Sequence, residues 1–120
     1  MLKKITLFAA AFAVLLAMGI AIRARADANA PVIKITAKQF GFTPNLVTLK
    51  RGQTVVLELT SEDVTHGFFS KPLGIDEIIA PGQPTRVTLT PQTAGKFTTI
   101  CDHFCGVRHG DMKMTIMVEE

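Results

Sequence analysis

The pattern of hydrophobic and polar positions divides the chain into an apolar leader and a remainder of short alternating runs. Residues 5–22 are apolar apart from Thr6 and Gly19, whereas apolar and polar residues alternate in short segments after residue 31. Alternation with period two is typical of strands that bury one face. No amphipathic segment of helical length follows residue 30. The pattern predicts strands over 33–37, 47–49, 54–60, 86–90, 96–100 and 113–118.

Gly and Pro are concentrated between these runs and set the predicted loops. Residues 42–44 interrupt the first run, and residues 61–84 are predicted to be largely loop with a short strand at 66–69. Short strands at regular spacing, separated by Gly and Pro turns, favour an all-β antiparallel sandwich with Greek-key connections. The roughly ninety residues after the leader can close one small hydrophobic core. The sequence therefore predicts a single all-β domain at 29–120.

The leader has the layout of a targeting segment. Lys3 and Lys4 precede the apolar stretch, and Ala26-Asp27-Ala28 fits the small-residue rule for cleavage before Asn29. The apolar stretch as a helix would also span about 27 Å, close to the hydrocarbon thickness of a bilayer. Residues 1–28 are therefore predicted to be either a signal peptide or a single membrane anchor. Both alternatives place the domain outside the cytoplasm, in the periplasm or an equivalent compartment.

The charge balance argues against binding of nucleic acid. The chain has 13 Lys and Arg against 10 Asp and Glu, a net charge of +3. Four of the basic residues but only one acidic residue lie in residues 1–28, which leaves nine of each sign in the predicted domain. The domain is therefore near neutral and has no basic face for a phosphate backbone. It also has no Trp and no Tyr to stack on bases.

Residues 101–112 concentrate the metal-binding chemistry of the chain. Both cysteines, Cys101 and Cys105, lie there together with His109 and Met112. Thiolate, imidazole and thioether form the donor set that soft, redox-active copper prefers. His66 lies far upstream, beside a predicted strand, and the loops at one pole of a sandwich come together. We therefore expect His66 to meet the cysteine loop.

Two thiolates can bridge two copper ions, each completed by one imidazole, and this suits electron transfer. Sharing one unpaired electron over both metals lowers the reorganisation that transfer requires, and no donor position is left open for a substrate. Blander interpretations remain open. Two cysteines in an exported protein often form a disulfide. His66 can be an ordinary polar loop residue, and Met112 can belong to the core.

The motif in residues 61–66 and 101–112 resembles the copper-binding pattern of cytochrome c oxidase subunit II. The C-x3-C-x3-H-x2-M spacing with an upstream His is specific, and the likeness extends over about residues 32–120. That family carries a dinuclear CuA centre in a cupredoxin domain. The resemblance implies a cupredoxin-like fold, a c-type cytochrome as electron donor and a haem-copper oxidase catalytic subunit as partner. It also implies bridging thiolates from Cys101 and Cys105, one copper completed by His66 and Met112, and one completed by His109 with the main-chain carbonyl of His103.

Three features depart from the usual family pattern. His103 stands where the family has Glu, so it retains the carbonyl but cannot supply the carboxylate that helps hold magnesium. The chain has at most one membrane segment where the family has two, and it lacks the Trp of the family's docking patch. The side chain of His103 can also be solvent-exposed, tune the site indirectly or ligate a single copper.

Three classes of function follow from the sequence. Electron transfer by a copper domain is the leading hypothesis. The alternatives are a periplasmic copper-handling protein for storage or delivery, and a disulfide-stapled sandwich used for binding. No paired acid and base or activated hydroxyl is recognisable, so free catalysis is not expected.

Overall fold

Two facing β-sheets form the domain in the computed structural model, which describes residues 29–120. The expectation for residues 1–28 lies outside this range. Between residues 29 and 120 there is no α-helix, only a 3-10 turn at His109–Asp111, and no helix there is long and apolar enough to cross a membrane. The strands are β1 (Val32–Lys38), β2 (Gly41–Thr43), β3 (Leu46–Lys50), β4 (Val55–Ser61), β5 (His66–Ser70), β6 (Ile75–Ile79), β7 (Thr85–Leu89), β8 (Gly95–Ile100) and β9 (Lys113–Glu119).

The sheets are mixed and not purely antiparallel, which corrects the predicted pairing. One sheet has the order β2-β1-β4-β7 and the other the order β3-β9-β8-β5-β6. β1 pairs with β4 in parallel, and β3 pairs with β9 in parallel, whereas the remaining pairs are antiparallel. Parallel neighbours require a long crossover connection, and two strands lie between β1 and β4 in the chain and five between β3 and β9. Alternation along one strand carries no information about the direction of its neighbour.

The core lies between the two sheets, where the alternating apolar residues point inward. In β4, Val55, Leu57 and Leu59 are buried while the residues between them are half-exposed. The same alternation in β9 buries Met114, Ile116 and Val118. The period-two pattern read from the sequence is therefore the pattern of burial. Residues Pro31–Glu120 form one compact unit around this core.

Two strands lie in segments that the sequence predicts to be turn or loop. β6 occupies Ile75–Ile79 within the Gly- and Pro-rich region, and β2 is a three-residue strand that ends immediately before Pro44. Both are edge strands, paired on one side only. An edge strand tolerates acidic residues and a following Pro because one side makes no ladder hydrogen bonds. Their weak sequence signal has this physical origin.

The topology brings three chain segments to one pole of the five-stranded sheet. β8 is antiparallel to both of its neighbours, β5 and β9. The first residue of β5, the residue after β8 and the residue before β9 therefore lie at the same edge. These residues are His66, Cys101 and Met112.

Candidate metal centre

Three sulfur atoms meet in the interior at this pole. The Sγ atoms of Cys101 and Cys105 are 3.4 Å apart, and the Sγ of Cys105 is 3.8 Å from the Sδ of Met112. All three residues are at most 5% exposed. The cysteines are free thiols and not a disulfide. The structure thus holds two thiols and a thioether together in a water-excluded position.

The imidazole of His66 joins the sulfur atoms with one nitrogen available. His66 is fully buried, and its ligand nitrogen and the two Sγ atoms all lie within 4.8 Å of one another. Nε2 of His66 is 2.7 Å from Oδ1 of Asp63, while Nδ1 is buried and has no hydrogen-bond partner. An unpaired buried polar atom costs about 1–3 kcal/mol, so Nδ1 is left for a bound group. The three donors fit a metal ion.

Asp63 fixes which nitrogen of His66 carries the proton. Partial burial opposes ionisation of Asp63, but hydrogen bonds from the Gln39 N–H and from His66 outweigh it and lower the pKa of Asp63 to about 2. The carboxylate therefore only accepts hydrogen bonds at neutral pH, so Nε2 of His66 donates to it. Nδ1 then bears the lone pair that a metal ligand needs, and it is buried without another partner.

The two remaining histidines occupy different environments. His109 is half-buried, its Nδ1 is buried without a hydrogen-bond partner, and its ring lies 5.7 Å from the ring of Phe104. It does not belong to the group of ligand atoms within 4.8 Å of one another. The side chain of His103 is exposed, but its main-chain carbonyl accepts a hydrogen bond from the Sγ of Cys101 at 3.1 Å. Thus His103 faces the cluster with its backbone and not with its imidazole.

The thiol of Cys105 is held in the protonated form in the absence of a metal. Burial first, and then a hydrogen bond and charge repulsion from the neighbouring Cys101, raise the pKa of the Cys105 thiol to about 11. A metal ligand must be the thiolate, so binding has to displace this proton.

The backbone of β5 closely approaches the cysteine loop (residues 101–112), and this contact holds the thiol of Cys101 in position. The N–H of Gly67 donates to the Sγ of Cys101 at 3.3 Å. A Cβ on Gly67 would lie 2.1 Å from Oδ1 of Asp102 and 2.8 Å from the backbone nitrogen of His103. Only a residue without a side chain allows the loop to cross the strand here. The glycine after His66 is therefore a requirement of the site.

Sequence reasoning assigned no role to Asp63, Gln39 or Gly67. Asp63 could have been found, because a carboxylate three positions before a candidate His ligand is a typical orienting partner. Gly67 follows that same His, although a glycine alone does not indicate close packing. Gln39 carries no sequence signal, since its partner Cys105 is 66 positions away.

Comparison with known proteins agrees with this fold and donor set. Residues 8–118 match the family described as cupredoxin-like domain. Two forms of cytochrome c oxidase subunit 2 from Thermus thermophilus are each 34% identical over 92 residues, or 77% of this chain; the chain spans 68% of one and 55% of the other. A nitrous-oxide reductase of Cupriavidus necator is 34% identical over 91 residues, covering 72% of this chain and 14% of the reductase. The periplasmic domain of subunit II of cytochrome oxidase from Bradyrhizobium japonicum has a TM-score of 0.69 at 22% identity, covering 75% of this chain and 84% of that one.

The chain belongs to the cupredoxin-like domain family. Its relatives in the oxidase subunit 2 group confirm the resemblance drawn from the motif in residues 61–66 and 101–112. The all-β sandwich predicted from the sequence is confirmed for the described residues. Family membership and the buried thiol, imidazole and thioether donors identify an electron-transfer copper domain.

Proposed function

We propose that this chain holds a dinuclear, CuA-type copper centre and relays single electrons into a terminal oxidase. The observation that carries the proposal is the pair of free thiols 3.4 Å apart, with a ring nitrogen of the buried His66 within 4.8 Å of both and its Nδ1 buried without a partner. A mononuclear site needs one thiolate, and a second one beside it would add uncompensated negative charge. Two cations remove that repulsion.

The donors divide naturally between two metal positions. Cys101 and Cys105, whose Sγ atoms are 3.4 Å apart, would bridge the two positions. His66 through Nδ1 and Met112 through Sδ would complete one position. At the other position we assign His109, whose Nδ1 is likewise buried and unpartnered, together with the main-chain carbonyl of His103.

The protein around this centre supports electron transfer and not substrate chemistry. When bound, the copper pair supplies a single-electron redox couple. Burial of the two thiols and of Met112 excludes water, and the hydrogen bond from Asp63 holds the imidazole of His66 in one orientation. Ligands that are fixed before the electron arrives move little when it does, which keeps reorganisation small.

The oxidase setting of the proposal rests on the relatives. They are subunit 2 proteins of cytochrome c oxidase, and this chain spans more than half of their length. The donor is then a c-type cytochrome and the acceptor is the catalytic subunit of a haem-copper oxidase. Residues 1–28 would carry the domain out of the cytoplasm as a cleaved signal or remain as a single membrane anchor.

Metal stoichiometry and electron paramagnetic resonance test the centre. The purified chain, loaded with copper under anaerobic conditions, is expected to bind two copper ions with the unpaired spin coupled equally to both nuclei. Cys105→Ser removes one bridge and is expected to bind one copper. Ser70→Ala, which alters a buried hydroxyl in the same strand as His66, serves as the control and should retain two. A single copper in the unaltered chain, or an unchanged spectrum in Cys105→Ser, would refute the bridged centre.

A chelator challenge separates the relay from the copper-handling alternative. A relay keeps its metal, so a weak chelator should remove little copper over hours. A delivery protein needs exchangeable and open coordination, which the buried donor set does not offer. Complete transfer of copper to the weak chelator within minutes would favour delivery.

A further inference from the structure

One residue in a turn of the four-stranded sheet contacts two separate parts of the candidate metal site, Asp63 and Cys105. Gln39 lies in the turn between β1 and β2. Its backbone N–H donates to Oδ2 of Asp63 at 2.8 Å, and its side-chain Nε2 donates to the carbonyl oxygen of Cys105 at 2.5 Å. Asp63 in turn holds His66 through its other oxygen. Gln39 therefore connects the carboxylate that orients the histidine with the backbone of the second cysteine.

The neighbouring residue of the turn packs against the same loop. A Cβ on Gly106 would lie 2.7 Å from Cε1 of Phe40 and 2.9 Å from Nε2 of Gln39, so both side chains rest directly on that glycine. Gly106 also has φ of +142°, a conformation that residues with a side chain rarely adopt. Gln39 thus makes a polar contact with Cys105, and the next residue, Phe40, makes an apolar contact with Gly106.

The sheet does little to fix the second cysteine against His66. β5 and β8 pair through one residue couple, Phe69 and Ile100. The first cysteine, Cys101, has its own tie to β5 through the Gly67 N–H. Cys105 lies four positions further into the loop, and its backbone carbonyl is held by the side chain of Gln39 in the turn.

We propose that Gln39 is a positioning residue that sets the distance between His66 and Cys105 and so controls copper retention and the symmetry of the spin. The proposal rests on the copper centre proposed above. Gln39 reaches the site through hydrogen bonds and is not itself assigned as a ligand. Positioning by an amide donor is expected because small displacements of a ligand weaken a metal site markedly.

Gln39→Met tests the proposal with a matched control. Methionine keeps the length of the side chain and leaves the backbone N–H to Asp63 intact, but it removes the donor to Cys105. Gln92→Met removes an equivalent amide-to-carbonyl bond, 3.0 Å long to Thr90, in the loop between β7 and β8 at the other end of β8. Gln39→Met is expected to lose copper to a chelator about tenfold faster than the unaltered chain, and its copper hyperfine pattern should become unequal. Gln92→Met should match the unaltered chain in both.

Amide hydrogen exchange provides a readout that does not need copper. In the metal-free protein, Gln39→Met should exchange faster in residues 105–112 while β9 is unchanged. Gln39→Asn, which keeps the amide but is one methylene too short to reach, should behave like Gln39→Met and serves if that variant folds poorly. Equal exchange and equal copper loss in Gln39→Met and Gln92→Met would overturn the proposal. Failure of the unaltered chain to bind two coppers, with faster exchange still seen in Gln39→Met, would instead overturn the dinuclear centre and leave the positioning role of Gln39 intact.

Discussion

At the scale of single residues, the site is built from groups that are incompletely satisfied without a metal. Nδ1 of both His66 and His109 is buried without a partner, and the Sγ atoms of the two cysteines lie 3.4 Å apart with no cation between them in the metal-free protein. Each unpaired buried nitrogen costs about 1–3 kcal/mol. The stability of the rest of the domain offsets this free-energy cost, and a metal bound to the nitrogens would remove it. Buried polar groups without hydrogen-bond partners are typical of a functional site.

The raised pKa of Cys105 predicts a pH-dependent affinity for copper. Below a pKa of about 11 the free thiol is protonated, and binding releases that proton. The apparent affinity should therefore rise with pH, by about tenfold per unit for this one thiol. Asp63, with a pKa of about 2, stays ionised and adds no slope. Competition with a chelator at pH 6, 7 and 8 measures the dependence, and Cys105→Ser should show a slope lower by about one proton. An affinity independent of pH over this range would contradict the expectation.

At the scale of elements, the site depends on three strand ends and on the crossing of two backbones. His66 begins β5, Cys101 follows β8 and Met112 precedes β9. The cysteine loop then passes over β5 at Gly67, where no side chain can be accommodated. The precision of the donor cluster is thus a property of strand register and of one glycine.

Gly67→Ala tests the crossing. The added methyl group would lie 2.8 Å and 2.9 Å from the backbone nitrogens of His103 and Asp102, which cannot move without displacing the loop. We expect a loss of about 1–3 kcal/mol in the free energy of unfolding of the metal-free protein, and marked loss of copper retention. Gly110→Ala is the matched control in the same loop, since nothing lies within 4 Å of its added methyl. Urea unfolding and a chelator assay measure both effects; equal behaviour of the two variants would refute the crowding argument.

The elements also show what the sequence could and could not predict. Six strands were predicted from alternation, because a strand with one buried face repeats every two residues. β2 and β6 were not predicted, since edge strands tolerate Pro and charged residues. The parallel pairs were not predicted either, because the direction of a neighbouring strand leaves no local pattern in the sequence. In the site, the spacing of residues 101–112 is local and readable. The hydrogen bond from Gln39 to Cys105 joins residues 66 positions apart, so no local pattern in the sequence predicts it.

At the scale of the whole molecule, the candidate ligands come from one sheet and their support comes from both. The donors are on or beside β5, β8 and β9 of the five-stranded sheet, whereas Gln39 and Phe40 lie between β1 and β2 of the other. The sulfur atoms also belong to the core cluster that both sheets enclose. A metal bound at this pole would therefore stabilise the association of the sheets and not a loop alone.

Copper loading should consequently raise the melting temperature of the entire domain in one transition. A ligand that binds only the folded state at about 100 times its Kd adds about 2.7 kcal/mol, and 1 kcal/mol shifts Tm by about 4–8 °C for a domain of this size. We expect a rise of about 10–20 °C by calorimetry, reversed by chelation. Binding of copper to unfolded thiols would reduce the gain, so Cys105→Ser, which keeps one thiol, provides the reference and should gain less. A rise confined to a minor, separate transition would show that the metal tethers only the cysteine loop, because stabilisation shared by two sheets must appear in the cooperative unfolding of both.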